Sequence, residues 1–400
     1  MDNRGRLRME QFPEELRLLL SMIGSQSRSH SGDTSVDSFS PIDWERFLEL
    51  AAHHRVFPLI QAAVHSSADL PLPEDIRFRL RRQNRQNMFD MLHLSGEAER
   101  VSRRLAEADI RCLFLKGPLL AQDLYGDISL RTSCDLDILV PFADLERTER
   151  VLLGMGYTKE HTFSTRFSEW KWRRHHLNFV HPQHGVEIEV HWRCNPGPSL
   201  EPGFEELWAR RRPSPIRNVS ACWLGREDLF LFLITHGSRH GWSRLRWLID
   251  VDRLLKQPLN TSILLPLLEK YGVLHIAGQA LTLCEWLLAT SLPDGLKPLA
   301  LKRRAVRHAE DAIFYIKQMV NLHHEPVPLP IAKYHKGYLF ALMGFRQKLL
   351  YLLNLLYPYP IDADTLPLPK ALHFLYFPLR PMLWMWRTAK KYVTGKGIIG

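Results

Sequence analysis

From Val186 to Trp192 the chain reads Val-Glu-Ile-Glu-Val-His-Trp, a strict alternation of apolar and polar residues. Only an extended strand separates such residues onto two faces, with Val186, Ile188, Val190 and Trp192 on one and Glu187, Glu189 and His191 on the other. His176–Val180 precedes it across a turn at Pro182-Gln183-His184-Gly185, so the spacing predicts a hairpin. A β element is therefore required inside a chain whose other periodicities are mostly helical. An edge strand with its polar face in water would alternate in the same way, so the strand alone names no chemistry.

Around it the chain divides into three. With 45% apolar and 24% charged residues the composition is that of an ordinary globular protein, and 400 residues allow two or three domains. Residues 24–40, rich in Ser, Gly and Asp, read as a flexible loop ending in a helix cap at Ser40-Pro41-Ile42-Asp43. Trp44, Phe47, Leu48 and Ala51 then recur at helical spacing, and a long, charged helix is predicted from about Pro73 to Ala108. Between Ile110 and Trp192 the pattern changes. Short apolar runs at Arg111–Leu115 and Leu136–Val140 alternate with helices at Pro118–Leu124 and from Leu145 to Gly154. From Glu205 onward helices return, the clearest at Leu229–Leu255, Ile263–Leu288, Leu301–Leu322 and Tyr338–Leu356. The predicted fold class is α+β: a small mixed sheet at 109–195, an N-terminal helical region at 1–108 and a C-terminal helical domain at 196–400.

Lys and Arg number 53 against 43 Asp and Glu, a net charge of +10 that favours anionic partners. The basic runs lack regularly interleaved aromatics, so they give no specific nucleic-acid signature. Five scattered cysteines without a Cys-x-x-Cys pair argue against a disulfide framework or a zinc ribbon. No apolar leader region opens the sequence and no uncharged apolar run approaches the ~18 residues of a membrane span, so a cytoplasmic setting is expected. The tail Ala371–Tyr392 is aromatic and basic. It reads either as a peripheral membrane contact or as a terminal helix packing its Leu and Trp residues on the body. Pro378 and Pro381 interrupt a continuous amphipathic face and favour the second.

Asp135-Leu136-Asp137 is the most informative triplet. In an extended segment both carboxylates project to one side at the mouth of the apolar run Ile138–Val140, where a divalent cation would relieve their repulsion. If this strand neighbours the one at 186–192, Glu189 completes a three-carboxylate cage suited to Mg²⁺, with Mn²⁺ as a substitute. Lys116-Gly117 ends a strand and opens a helix at Pro118, and Arg131 offers a two-pronged phosphate contact. No G-x-x-x-x-G-K-[ST] loop is present. On one continuous helix His236, His240, Trp247 and Asp250 would share an arc of about 80°, with Arg244 at its edge. They form either a buried polar network or the lining of a cleft. The His236-x-x-x-His240 spacing would suit zinc, but no Glu follows the first His and no third ligand is evident.

In order, Leu115-Lys116-Gly117-Pro118, Tyr125-Gly126-Asp127, Arg131 through Val140 with Asp135 and Asp137, Gly156-Tyr157 and Glu187 through Trp192 resemble the bacterial uncharacterised nucleotidyltransferase family of the polymerase-β-like superfamily. Asp43-Trp44 to Val56 and the stretch His236 to Asp250 resemble its helical signatures, and the likeness covers most of residues 43–390. It implies a nucleotidyltransferase palm at 109–195. Asp135, Asp137 and Glu189 would be its catalytic and metal-holding residues. Lys116, Gly117, Arg131 and Ser133 would bind nucleotide, with His191, His236, His240, Arg244 and Asp250 near the cleft. Many relatives carry Asp at the third carboxylate position, and Lys116-Gly117 stands where the superfamily usually has Gly-Ser. The expected reaction is Mg²⁺-dependent transfer of a nucleoside monophosphate from an NTP to a hydroxyl-type acceptor, a small molecule, peptide or protein, with release of pyrophosphate.

Two other readings compete. A sugar-nucleotide-dependent glycosyltransferase also uses Asp-x-Asp, but there the apolar strand typically precedes the pair, whereas here it follows. A non-catalytic binding module of the same fold would not need carboxylates at all three positions.

Overall fold

The computed structural model describes residues 9–25, 41–66, 72–160, 167–216, 221–322 and 326–393, so most of the expected loop at 24–40 lies outside the described residues. The chain begins with helices α1 (Glu14–Ser25), α2 (Trp44–His53), α3 (Phe57–Ser66) and α4 (Glu74–Glu107). Asp43 caps α2, its carboxylate accepting from the Arg46 N–H at 3.0 Å.

The mixed region follows as β1 (Leu113–Phe114), α5 (Pro118–Tyr125), β2 (Asp135–Leu139), α6 (Leu145–Gly154), β3 (Thr158–Lys159), α7 (Trp170–Arg173), β4 (His176–Val180) and β5 (Glu187–His191). After α8 (Phe204–Ala209) come β6 (Arg212–Pro213) and β7 (Cys222–Trp223), which join the same sheet beyond residue 195. The strand order is β3-β4-β5-β2-β1-β7-β6. β2–β5 and β1–β7 are parallel and the other pairs antiparallel, so the sheet is mixed and the fold is α+β. The hairpin forms as its alternation requires: Leu177, Phe179, Ile188 and Val190 are buried on one face. The helix α4 packs on α5, α6 and β2.

The remaining helices are α9 (Arg226–Arg239), α10 (Leu245–Leu255), α11 (Thr261–Lys270), α12 (Leu274–Leu288), α13 (Lys297–Ala300), α14 (Arg303–Lys317), α15 (Leu329–Leu342), α16 (Phe345–Leu356), α17 (Pro360–Thr365) and α18 (Tyr376–Val393). The continuous helix expected over Leu229–Leu255 is two, because the chain turns at Gly241 and Trp242, both at positive φ. Trp242 folds back on Gly237 so closely that a Cβ there would lie 2.3 Å from the indole. The single stretches expected at 263–288 and 338–356 are likewise each divided between two helices.

One hydrophobic core runs from Phe12 to Leu342. The last helices have a separate small cluster of Ala363, Tyr376 and Leu383. The expected packing of the tail's tryptophans on the body does not occur: Trp384 and Trp386 are exposed.

Candidate active site

The parallel register of β2 and β5 sets Asp135 beside Glu187 and Asp137 beside Glu189, while β4 sets His176 beside His191. Side chains two apart share a face, so these groups form one polar patch on the sheet. At its centre His191 Nε2 lies 3.2 Å from Asp137 Oδ1 and 3.0 Å from Glu189 Oε2. Lys116 Nζ reaches the same Asp137 oxygen at 2.8 Å. Asp137 is fully buried, and its other oxygen, Oδ2, has no hydrogen-bond partner. A buried carboxylate oxygen without a partner carries a desolvation cost that a ligand would remove.

Ligand atoms of Asp137, Glu189 and His191 all lie within 4.8 Å of one another, and so do those of His175, His176 and His191. The first set, two carboxylates and an imidazole around an orphaned oxygen, fits a divalent cation, and its nitrogen suits Mn²⁺ at least as well as Mg²⁺. Asp135 stands outside that set. It is half-buried at the start of β2, with the Ser133 hydroxyl 3.4 Å from its Oδ1. Of the two glutamates, Glu189 is the one beside Asp137; Glu187 accepts from Asn178 at 3.1 Å.

The electrostatics differ between these neighbours. Burial works against the His191 imidazolium, but hydrogen bonds to Asp137 and Glu189 outweigh it and raise its pKa. Burial also opposes the Glu189 carboxylate, and there His191, His176 and Lys116 win, holding its pKa well below the usual range. Glu187 goes the other way, pushed up to about 7 by burial and then by the charges of Glu160 and Asp135. His176 is pushed down to about 4 by burial and by His191.

Gly117 links Lys116 to α5 with φ +83°, ψ −149°, a conformation L side chains rarely adopt, and Pro118 then starts the helix. Arg131 is not available to phosphate. It is buried, with Nε 2.9 Å from Asp250 Oδ1 and Nη2 3.0 Å from Oδ2, and the Tyr125 hydroxyl donates to Oδ1 at 2.8 Å. Asp250 is thus an anchor between α10 and the palm, part of a buried polar network, the first of the two alternatives open for it.

The break between α9 and α10 turns cations toward the sheet. Arg239 lies 3.5 Å from His175 Nε2 and 3.3 Å from His236 Nδ1. Burial lowers its pKa despite the charges of Glu189, Glu201 and Asp137. Burial, then Arg55, lowers that of Arg244, and burial, then Arg131, lowers that of Arg246 to about 9. The His236 and His240 rings meet at a tilt of 50° beside Trp247, with their centroids 4.7 Å apart, and burial keeps His236 far below its ordinary pKa. Buried cations that burial penalises favour an incoming polyanion. A cavity of about 820 Å³, lined by Arg239, His240, Lys333, Lys336, Phe340 and Tyr351 among others, adjoins this cluster. Sequence reasoning missed His175, His176 and Arg239. The first two open the hairpin as a His doublet after Arg173-Arg174, and Arg239 sits between the two histidines already singled out.

Residues 40–289 match the sequence profile of the uncharacterised nucleotidyltransferase family, and the chain belongs to that family. No curated protein matches it. Nucleotidyltransferases transfer phosphorus-containing groups, and the palm with its carboxylates lies inside the matched span.

Proposed function

We propose that this nucleotidyltransferase moves a nucleoside monophosphate from an NTP to a hydroxyl-type acceptor and releases pyrophosphate, using Asp135, Asp137 and Glu189 with a divalent cation, Mg²⁺ or Mn²⁺. The observation that carries the reading is the buried, unpartnered Asp137 oxygen beside Glu189 and among buried cations. When bound, the cation supplies charge neutralisation at the transferred phosphate.

The acceptor oxygen forms a bond to the α-phosphorus, the bond from that phosphorus to the bridging oxygen breaks, and pyrophosphate leaves with the electron pair. Glu189, kept ionised by His191 and Lys116, takes the hydroxyl proton. Lys116, with Arg239 and Arg244 on the helical side, balances the charge of the triphosphate. Catalysis then comes from positioning and charge compensation. The test is pyrophosphate release from each labelled NTP with Mg²⁺ or Mn²⁺ and candidate acceptors: the Asp135→Asn/Asp137→Asn variant is expected to release none, and release equal to the parent's would overturn the reading.

A further inference from the structure

Beyond Leu342 the chain leaves the main core and its amphipathicity inverts. On α16, Phe345, Leu349, Leu352, Leu353 and Leu356 fall within about 100° of arc. They form an apolar stripe, and they are 49–84% exposed. Asn354, on the opposite side, turns inward and accepts from Arg173 Nε at 2.8 Å. On α18 the same reversal recurs. Arg380 and Arg387 converge on the fully buried Asp362, each at 2.7 Å, while Met382, Trp384, Met385 and Trp386 are 54–62% exposed. In water an amphipathic helix buries its apolar stripe and leaves its ions outside. Ion pairs inside and Leu, Met and Trp outside is the arrangement an apolar medium selects, and an exposed apolar patch of this extent marks a contact surface.

The occupant follows from charge and length. Residues 326–393 contain nine Lys and Arg against two Asp, and with Asp362 and the two arginines that pair with it set aside, seven cations remain against one acid. Tryptophan beside Lys and Arg is the side-chain set of a membrane interface. No described helix is long and apolar enough to cross a membrane, so α16 and α18 would lie in its plane. We propose that the outer surface of α16 and α18 docks in the headgroup region of an anionic bilayer. Tyr351, on the side of α16 away from that stripe, walls the 820 Å³ cavity next to Arg239, so docking leaves the cavity on the far side of the helix from the lipid.

The test is co-sedimentation of the full chain with vesicles of phosphatidylcholine alone or mixed with phosphatidylglycerol. The protein is expected to pellet with the mixed vesicles, less so as salt rises, and brominated lipid is expected to quench its tryptophan fluorescence. Leu349→Glu/Leu353→Glu is expected to weaken partition roughly tenfold or more. Its circular dichroism and its pyrophosphate release without vesicles are expected to match the parent's. No pelleting and no quenching in the parent overturns the proposal, as does equal pelleting with both vesicles. So does a parent that forms dimers which the double substitution dissociates, since a second copy then covers the face. Because activity is read without lipid, failure here is distinct from failure of the transfer reading.

Discussion

Arg131 and Asp250 meet as a two-point ion pair with almost no solvent access, joining the loop before β2 to a helix 119 residues further on. The contact fixes where β2 begins and hence where Asp135 and Asp137 emerge. Arg131→Ala leaves Asp250 buried with only Tyr125, and breaking one side of a buried pair costs about 3–5 kcal/mol. Denaturant unfolding is expected to show that loss. An unchanged midpoint together with a raised KM for NTP would return Arg131 to the phosphate.

Asp137→Asn is expected to lower turnover about 10²–10³-fold, and more than Asp135→Asn does, because Asp137 is buried within the converging set and Asp135 stands outside it. Thermal melts give an independent readout. Mn²⁺ is expected to raise the parent's Tm by binding the folded state, and the variant is expected to lose that shift. A Mn²⁺ shift that persists in Asp137→Asn places the ion elsewhere, with the His175, His176 and His191 group the next candidate.

Arg239→Gln is expected to raise the KM for the triphosphate by roughly tenfold, and Arg239→Lys to recover part of it, since charge without the planar fork serves less well. Steady-state kinetics across NTP concentrations decides this. A change in kcat alone would mean that Arg239 positions His175.

Two groups on neighbouring strands give opposite pH slopes. Glu187 has a folded pKa raised from 4.5 to about 7, so the native state holds its proton longer and stability falls as pH rises between those values. His176 has a folded pKa depressed from 6.5 to about 4, so the unfolded state binds the proton first and stability is lost as pH falls through that window. In the parent these trends partly cancel. Comparing Tm against pH for Glu187→Gln and His176→Gln separates them: the first variant lacks the decline toward neutrality, the second lacks part of the acid loss. Parallel curves for parent and variants would contradict both shifts.

The sheet centre was legible because a period of two is hard to produce by accident: the alternation at 186–192 and the Asp135–Asp137 spacing place their side chains before any packing is known. The partner of Arg131 was not, since nothing near it in sequence points to a carboxylate 119 residues away. The break after Arg239 was hidden because Leu229 and Leu254 fit one helical stripe across it by coincidence. What forces the turn is tertiary, the indole of Trp242 against Gly237. The strands at 212–213 and 222–223 are too short to carry a period at all. At the far end, the tryptophans of the tail were expected on the body because Pro378 and Pro381 interrupt an amphipathic face, but Trp384 is exposed, and sequence registers how apolar a residue is without saying on which side of its helix the solvent lies.

Parallel strands cannot be joined by a tight turn, and β2 and β5 are separated by two helices and two further strands. The carboxylates therefore come together only after the hairpin has closed, and Arg239 and Asp250 arrive later still. A chain that stops before residue 226 holds its acidic groups beside Lys116 but lacks both the Asp250 clasp and the cations of the helical side. The site proposed here is thus assembled from distant parts of the matched span, and no part of it can be cut away and leave the rest complete.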